Sequence, residues 1–403
     1  MTDTGVYIYD AIRTPRGKGK ADGALAQIPP QVLVTSLLDE LQSRYTDLEQ
    51  ALGSLALGCV GQIEAQGGQL ALQCRIAAGL PDHVCTQTVN NYCISSLTAL
   101  ANSTRLALNS EKLHVVGGVE SMSQVGFLAD RAHYYTNAQV SRNLQWVPPI
   151  LGAELMATRE GIGKLELDQV SLNSHQRAAD AWQQGRFADL VVPVRDQDGE
   201  VVLGFDELVR ADLSNGQLAK LAPAFEAQGK QGFEALILQK YRELNHLNYT
   251  HSIANCPGMA DGASILLIGS GSAGAQIGLK PKARILVITE TAGCPLLQFD
   301  AGFDAMEQVL AQQNLTLADI DRIELMEAFA AVPAKFYRDF QPDPDKTNVN
   351  GGHLAMGHPM GATGTILAGQ LVHELSRSKS ELGLTVGFGG GGQGVAMLMQ
   401  NSG

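Results

Sequence analysis

Short apolar runs rich in β-branched residues recur along the chain. They are VYIYDAI (6–12), HVVGG (114–118), SILLIGS (264–270), RILVITE (284–290), RIELMEA (322–328) and LTVGF (384–388). Runs of this length and composition predict strands. Several are continuously apolar rather than alternating, which is typical of strands buried on both faces of a sheet.

Helical patterns separate these predicted strands. In PPQVLVTSLLDELQSR (29–44), apolar residues at 33, 37, 38 and 41 recur at the spacing of one helix face. Strands that alternate with helices of this kind predict a layered α/β fold.

The middle of the chain has a different composition. Residues 124–245 are rich in Gln, Arg, Asp and Asn, and they include the helical pattern LDQVSLNSHQRAADAW (167–182) but only short strand signals. This region is interpreted as an inserted segment of helices and loops.

The portions on either side of the insert resemble each other. Each ends in a strand that runs into glycines, HVVGGVESMS (114–123) and LTVGFGGGGQG (384–394), which indicates an internal duplication. The predicted boundaries are an N-terminal half of residues 1–123 and 246–270, a loop domain of residues 124–245, and a C-terminal half of residues 271–403.

Composition narrows the class of protein. A chain of 403 residues with 44 glycines and 5% aromatic residues favours α/β layers with tight turns. The net charge of −12 argues against binding to nucleic acid or to an anionic membrane, because such surfaces need clustered Lys and Arg. No apolar run reaches the roughly 18 residues of a membrane span, and the N-terminus lacks a signal-peptide pattern. A soluble cytoplasmic protein is expected.

The spacing of the cysteines and histidines does not indicate a metal-binding site. The six cysteines contain no C-x-x-C pair, which disfavours a zinc site and a disulfide framework and favours reduced thiols. His246 and His251 are not accompanied by an Asp or His cluster, so no metal is expected.

One glycine pattern resembles a dinucleotide-binding fingerprint. SILLIGSGSAG (264–274) contains G-x-G-x-x-G after a predicted strand, and Glu290 follows at the end of the next strand. Gly278 and Pro281 leave only about six residues for the helix that would bind the phosphates. A dinucleotide-dependent oxidoreductase is therefore disfavoured.

Cys93 is the first candidate for chemistry. It lies in VNNYCISSL (89–97), where a strand-like run meets a helical pattern that begins at or near Cys93. A thiol at a helix start faces free N–H groups, which stabilise the thiolate and lower its pKa. The alternative is a small, inert side chain of the core, because free cysteine is among the most buried residue types.

His358 lies in a glycine-rich stretch, NVNGGHLAMGHPMGATGT (348–365), whose backbone can approach a ligand closely. An imidazole there can take a proton from a thiol, as in cysteine–histidine catalysis, although a solvent-exposed turn histidine is the alternative.

The four glycines at 389–392, Gly390 and Gly391 among them, offer amides for an oxyanion hole or form a flexible turn.

Four ordered motifs resemble the thiolase family, the acyl-CoA:acetyl-CoA C-acyltransferases. VNNYCISSL resembles the nucleophile motif, GGVESMS (117–123) the signature motif, MEAFA (326–330) the Asn-Glu-Ala-Phe-Ala motif, and NVNGGHLAMGHPMGATG (348–364) the histidine motif. The similarity extends over essentially the whole chain. It is closest to the bacterial β-oxidation thiolases, including the thiolase subunits of trifunctional complexes.

This resemblance implies a thiolase-like fold of two similar layered α/β/α halves, five layers in total, with the loop domain over the active site. It implies that Cys93 accepts the acyl group and that His358 activates Cys93. Coenzyme A and acyl-CoA are the implied substrates, with no permanently bound cofactor, and the CoA phosphates are expected to meet Arg and Lys of the middle region. A homodimer or homotetramer is implied, and a β-oxidation multienzyme complex is a possible assembly.

Several motif positions depart from the family pattern. Phe388 replaces the second cysteine of Cys-x-Gly-Gly-Gly-x-Gly, which moves the α-carbon proton, and Met326 replaces the residue that holds an oxyanion-hole water. His353 stands in place of a small residue near His358. Ser96 and Pro257 are further departures.

The departures leave alternatives open. The first function is acyl-CoA C-acyltransfer, that is, thiolysis of 3-oxoacyl-CoA or the reverse Claisen condensation, with His353 or a water in place of the missing base. The others are an altered acyltransferase, condensing enzyme or thioesterase, and a non-catalytic thiolase-like subunit. Acylation needs a nucleophile, a base and oxyanion donors, whereas carbon–carbon bond chemistry needs a further acid–base function.

Overall fold

The computed structural model describes residues 5–403. The strands are β1 (Val6–Arg13), β2 (Gly17–Lys18), β3 (Leu52–Gly58), β4 (Cys85–Val89), β5 (Leu113–Ser121), β6 (Val194–Arg195), β7 (Val201–Leu203), β8 (Ala260–Ser270), β9 (Ala283–Ala292), β10 (Arg322–Leu325), β11 (Leu382–Gly389) and β12 (Gln393–Asn401). The helices are α1 (Pro30–Arg44), α2 (Leu48–Ala51), α3 (Leu70–Ala77), α4 (Ser95–Ala107), α5 (His133–Thr136), α6 (Ala138–Asn143), α7 (Pro149–Glu160), α8 (Lys164–Gln183), α9 (Asn215–Leu218), α10 (Glu226–Gln228), α11 (Glu234–Lys240), α12 (Gly271–Gln276), α13 (Ala301–Gln312), α14 (Ala331–Phe340), α15 (His353–Met356) and α16 (Thr363–Ser378).

The main sheet contains the same strand arrangement twice. In the N-terminal half, β3 is parallel to β5, β5 is antiparallel to β8, and β8 is antiparallel to β1. In the C-terminal half, β10, β11, β12 and β9 repeat these relations in the same order. β4 lies parallel beside β3, and the matching place beside β10 holds only a parallel bridge between Ile323 and Thr347. The prediction of two similar halves is confirmed.

Two helices fill the space between the halves. α4 packs on β3 and β5, and α16 packs on β1 and β8 of one half and on β10 and β11 of the other. α16 is buried on nearly all sides, as expected for a helix between two sheets. α1 and α3 cover the outer face of the first half and α13 that of the second, which gives five layers. β1 and β9 join the halves through three residue pairs.

The apolar runs predicted most strands well. β1, β5, β8, β9 and β11 lie where they were expected, and α1 covers Pro30–Arg44. RIELMEA forms a strand only as far as Leu325, so that prediction was too long at its C-terminal end. β3, β4 and β12 were not predicted. The exact boundaries of the loop domain stay a prediction.

The glycine pattern after β8 is not part of a nucleotide-binding unit. α12 has six residues, and β8 is antiparallel to both β1 and β5. A dinucleotide fingerprint needs a parallel strand–helix–strand unit. Within the described chain, no helix is long and apolar enough to cross a membrane.

Candidate active site

Cys93 lies in a tight turn between β4 and α4. Tyr92 adopts a left-handed conformation with φ 49°, which is unusual for a non-glycine residue. The Ser95 hydroxyl braces the turn, because it accepts a hydrogen bond from the Asn91 amide at 2.9 Å and donates one to the Tyr92 carbonyl. Cys93 therefore precedes the first helical residue by two positions and remains partly exposed.

The predicted lowering of the Cys93 pKa is wrong for the unliganded protein. Burial raises the pKa of the Cys93 thiol to about 12, and the Glu120 carboxylate adds to the increase. The amides of Cys93 itself and of Gly390 act in the opposite direction but do not outweigh burial. The thiol is consequently protonated at neutral pH and needs a base before it can act as a nucleophile.

His358 is a candidate for that base. Its backbone N–H donates to the Gly258 carbonyl at 2.8 Å, and its Nδ1 lies 2.6 Å from the Thr363 hydroxyl. Its Nε2 is buried and has no hydrogen-bond partner among the described residues. Burial lowers the pKa of His358 to about 4, and Arg16 contributes. The imidazole is therefore neutral, and with Nδ1–H donated to Thr363 its Nε2 carries a free lone pair.

Cys93 and His358 line the same cavity, of about 310 Å³. A second cavity of about 150 Å³ adjoins it, and the two share Cys93, Phe127, Pro149, Met360 and Gly390. Cys93 thus lies on the wall that the two cavities share. This placement excludes the alternative of a side chain sealed in the core.

The insert forms much of the apolar wall around the thiol. Its contribution to the larger cavity is Phe127, Pro148, Pro149, Ile150, Phe225 and Gln228. Cys256 and Pro257 also line this cavity. None of these residues except Pro257 was singled out from the sequence.

The glycine run places backbone amides beside Cys93. Gly390 lines both cavities and Gly391 the smaller one, and the Gly390 amide interacts with the Cys93 thiol. Gly391 and Gly392 have φ values of 73° and 82°, a conformation that side chains other than glycine rarely adopt. The run is therefore an ordered turn that presents Gly390 to the cleft.

Glu120, which the sequence analysis did not single out, ties the two halves together at the site. Its carboxylate accepts hydrogen bonds from the amides of Val60, Gly61 and Gly361 and from the Gln66 side chain. Gly118 is needed nearby because a Cβ there would lie 2.3 Å from the Gly361 carbonyl oxygen. The GGVESMS motif thus positions the loop that carries His358.

His353 is fully buried beside His358. The two rings are 5.5 Å apart in an edge-to-face arrangement, and neither ring nitrogen of His353 has a hydrogen-bond partner within residues 5–403. Burial and the nearby Arg16 keep the pKa of His353 well below its usual value. His353 is thus a neutral neighbour of His358. It is not on the wall of either of the two cavities that residues 5–403 form.

Met326 and Phe388 are not on the wall of either cavity formed by the described residues. Both are fully buried. The Phe388 ring packs edge-to-face on Phe303 at 4.9 Å and against Gly302 of α13. Gly387, one residue earlier, instead faces Ile94 and Leu97 beside Cys93. The Phe388 side chain therefore points away from α4 and the thiol.

Replacing Phe388 with cysteine is expected to destabilise the protein without raising turnover. The change removes most of a buried ring and leaves a cavity against Phe303, so the free energy of unfolding should fall by about 2–4 kcal/mol. Phe340, which also packs on Phe303 but is only half-buried, provides a matched control: Phe340→Cys should cost less. Urea denaturation and thiolysis assays of both variants test this, and faster turnover by Phe388→Cys would contradict it.

Fold and cleft together define a duplicated, five-layered α/β protein in which a cysteine and a histidine line one cleft. Residues 6–232 match the family description "Thiolase, N-terminal domain", and residues 279–401 match "Thiolase, C-terminal domain". The chain belongs to the thiolase family.

Relatives and solved structures match over nearly the full length. The 3-ketoacyl-CoA thiolases of Cronobacter sakazakii and Alcanivorax borkumensis are each 32% identical to this chain, over 98% of it and 99% and 98% of their own lengths. Human mitochondrial 3-ketoacyl-CoA thiolase in complex with CoA superposes with a TM-score of 0.86 at 27% identity, over 100% of both chains. The Bacillus anthracis acetyl-CoA acetyltransferase gives a TM-score of 0.85 at 28% identity, over 99% of both chains.

Proposed function

We propose that this protein is an acyl-CoA C-acyltransferase that cleaves 3-oxoacyl-CoA by thiolysis, or runs the reverse Claisen condensation, through an acyl-enzyme on Cys93. The supporting observation is that Cys93, His358 and Gly390 line one apolar cavity. A nucleophile, a base and a backbone donor in one apolar cavity are the parts that acyl transfer needs. Both family matches and the names of the full-length relatives agree with this activity.

The protonation states suggest how the first half-reaction proceeds without a second cysteine. The Nε2 of His358 takes the thiol proton as Cys93 sulfur attacks the 3-oxo carbon, and the Gly390 amide is placed to stabilise the oxyanion. Cleavage of the C2–C3 bond leaves acetyl-CoA as a carbanion, which receives that same proton from His358. One imidazole thereby serves both proton transfers, and the products are acyl-Cys93 and acetyl-CoA.

The second half-reaction uses the same groups. His358 takes the proton from the thiol of free CoA, the CoA sulfur attacks the acyl-Cys93 thioester, and the proton returns to Cys93 as its sulfur leaves. Protons balance over the catalytic cycle because the Cys93 thiol and the His358 imidazole are both neutral at its start. Because Phe388 stands in place of a second cysteine, the site lacks a second acid–base group. The protons of the catalytic cycle nevertheless balance.

The CoA moiety is proposed to extend from the larger cavity toward Arg210. A third cavity of about 180 Å³ shares Cys256 and Gly258 with the larger one, and Arg210 lines it. Arg210 belongs to the middle region in which cationic partners for the phosphates were predicted. Its guanidinium suits a phosphate because it offers paired donors.

A homodimer or homotetramer is proposed, and the chain is a candidate β-oxidation partner subunit. β4 lies at the end of the sheet with an unpaired edge, a feature that a second subunit can cover. We also propose a cytoplasmic location, which the six free cysteines favour.

The test is a thiolysis assay with purified protein, CoA and 3-oxoacyl-CoA esters of increasing chain length. Acetyl-CoA and an acyl-CoA shortened by two carbons should form in equal amounts, and peptide mass spectrometry should find the acyl group on Cys93 when CoA is omitted. An adduct without carbon–carbon cleavage would replace this proposal with an altered acyltransferase or a thioesterase. No adduct would indicate a non-catalytic subunit.

A further inference from the structure

The surroundings of a second cysteine, Cys294, favour its thiolate, whereas the surroundings of Cys93 disfavour its thiolate. Its sulfur lies 3.1 Å from Nζ of Lys240 and 3.3 Å from the Tyr241 hydroxyl, both at the end of α11. Cys294 is half-buried and Lys240 is exposed, so solvent reaches the pair. An electropositive, partly exposed position of this kind is typical of reactive thiols.

Hydrogen bonds stabilise the Cys294 thiolate, so Cys294 ionises more readily than Cys93. Burial disfavours the Cys294 thiolate, but donation from Tyr241, from the amides of Leu297 and Leu296 and from Lys240 outweighs burial and lowers the pKa of Cys294. Burial raises the pKa of Tyr241, so its hydroxyl stays protonated and remains a donor.

The Cys294–Lys240 pair adjoins the acyl-CoA cleft. The Gly293 amide donates to the Gly392 carbonyl at 2.7 Å, which links the Cys294 loop to the glycine turn beside Cys93. Gln298, whose amide donates to the Cys294 carbonyl, lines the smaller cavity. Lys240 also donates to Gln145, the neighbour of a second residue on that cavity wall, Trp146.

The geometry points to a self-acylation site: Cys294 accepts an acyl group from an acyl-CoA thioester and passes it to Nζ of Lys240. This inference takes from the proposed function only that acyl-CoA is the ligand of the neighbouring cleft. It does not require that Cys93 or His358 turn over.

The chemistry balances without an added reagent. The Cys294 thiolate attacks the acyl carbonyl, the bond from that carbon to the CoA sulfur breaks, and CoA leaves as a thiolate that takes up a proton from solvent. The Lys240 amine, after losing a proton to solvent, then attacks the Cys294 thioester. A carbon–nitrogen bond forms, the carbon–sulfur bond breaks, and the nitrogen loses a second proton to solvent, which restores the Cys294 thiolate beside an amide on Lys240.

Proximity favours transfer of the acyl group from the Cys294 sulfur to the Lys240 amine, and this transfer runs in one direction only. An amine held about 3 Å from the sulfur reacts at a high effective concentration, and the amide product is more stable than the thioester. The product also loses the charge of Lys240, so the charged contact between Lys240 and the Cys294 sulfur is lost, whereas the contact of Tyr241 with that sulfur remains.

The test uses the full-length Cys93→Ala protein incubated with acetyl-CoA, followed by hydroxylamine treatment and quantitative peptide mass spectrometry. Hydroxylamine removes thioesters and leaves amides. Acetylation of Lys240 should exceed that of the exposed residues Lys20 and Lys379 by about tenfold or more. In Cys93→Ala/Cys294→Ser, acetylation of Lys240 should fall to the level of those two lysines.

A second variant traps the intermediate. In Cys93→Ala/Lys240→Arg the cation is kept but no acyl acceptor is present, so a hydroxylamine-labile acetyl group should accumulate on Cys294. Equal Lys240 acetylation with and without the Cys294 thiol would overturn the inference, as would acetylation no greater than that of Lys20 and Lys379. Because every variant lacks the Cys93 thiol, these outcomes are independent of whether the wild-type protein performs thiolysis.

Discussion

Cys93→Ala is expected to abolish thiolysis and to remove the acyl adduct that forms when CoA is omitted. The thiol is the proposed nucleophile, and it is partly exposed and lines the cavity together with His358. Loss of a covalent nucleophile removes the route through the acyl-enzyme, so turnover should fall by about 10⁴-fold or more. Steady-state assays and intact-protein mass spectrometry measure the two effects.

Cys256→Ala provides the matched control, because Cys256 is a second thiol on the wall of the same cavity. It should retain acylation on Cys93 and change turnover far less than Cys93→Ala. If Cys256→Ala lost the adduct while Cys93→Ala kept it, the nucleophile would be Cys256 and the proposed roles would be wrong.

His358→Gln should lower turnover at neutral pH by about 10²–10⁴-fold and change the pH profile of acylation. In the wild-type protein the pKa of His358 is lowered to about 4 and that of Cys93 raised to about 12. The neutral pair is thus populated between these values, and the acylation rate should be nearly flat from about pH 5 to pH 9 and fall as His358 becomes protonated near pH 4.

Without the imidazole, the reaction depends on the small fraction of Cys93 that ionises unaided. That fraction grows about tenfold for each pH unit below the thiol pKa, so the acylation rate of His358→Gln should rise with a slope near one in a logarithmic plot. Stopped-flow acylation from pH 5 to pH 9 distinguishes the two profiles, and His246→Gln, at an exposed histidine, is the control. A flat profile in His358→Gln would exclude His358 as the base.

The elements that the sequence predicted are those with continuous apolar runs. β4 was missed because it is a partly exposed strand with the polar sequence CTQTV, and β12 because QGVAMLMQN has only one β-branched residue, Val395. The N-terminal strand β1 and helix α1 carry clear periodic signals and were predicted nearly to the residue. Pattern therefore identified the strands with long β-branched runs and missed others, including β3 and β12, which are buried inside the sheet.

The sequence selected Cys93 and His358, which line one cavity, but it did not predict the electrostatics around them. The motifs indicated Cys93 and His358, but the pKa of a thiol depends on the number of donors and the extent of burial around it, and neither can be read from spacing. Phe388 shows a second limit, because strand residues alternate between faces. Its motif position predicted proximity to the site, whereas the fold turns its ring toward Phe303.

The placement of β1 between β8 and β9 has a consequence for biosynthesis. β1 leaves the ribosome long before its two neighbours, because both lie more than 240 residues downstream in the chain. At about 5–20 residues per second, both edges of β1 stay open for roughly ten to fifty seconds of translation. During this interval the open edges of β1 can pair with other chains, so we expect the nascent chain to benefit from chaperone protection.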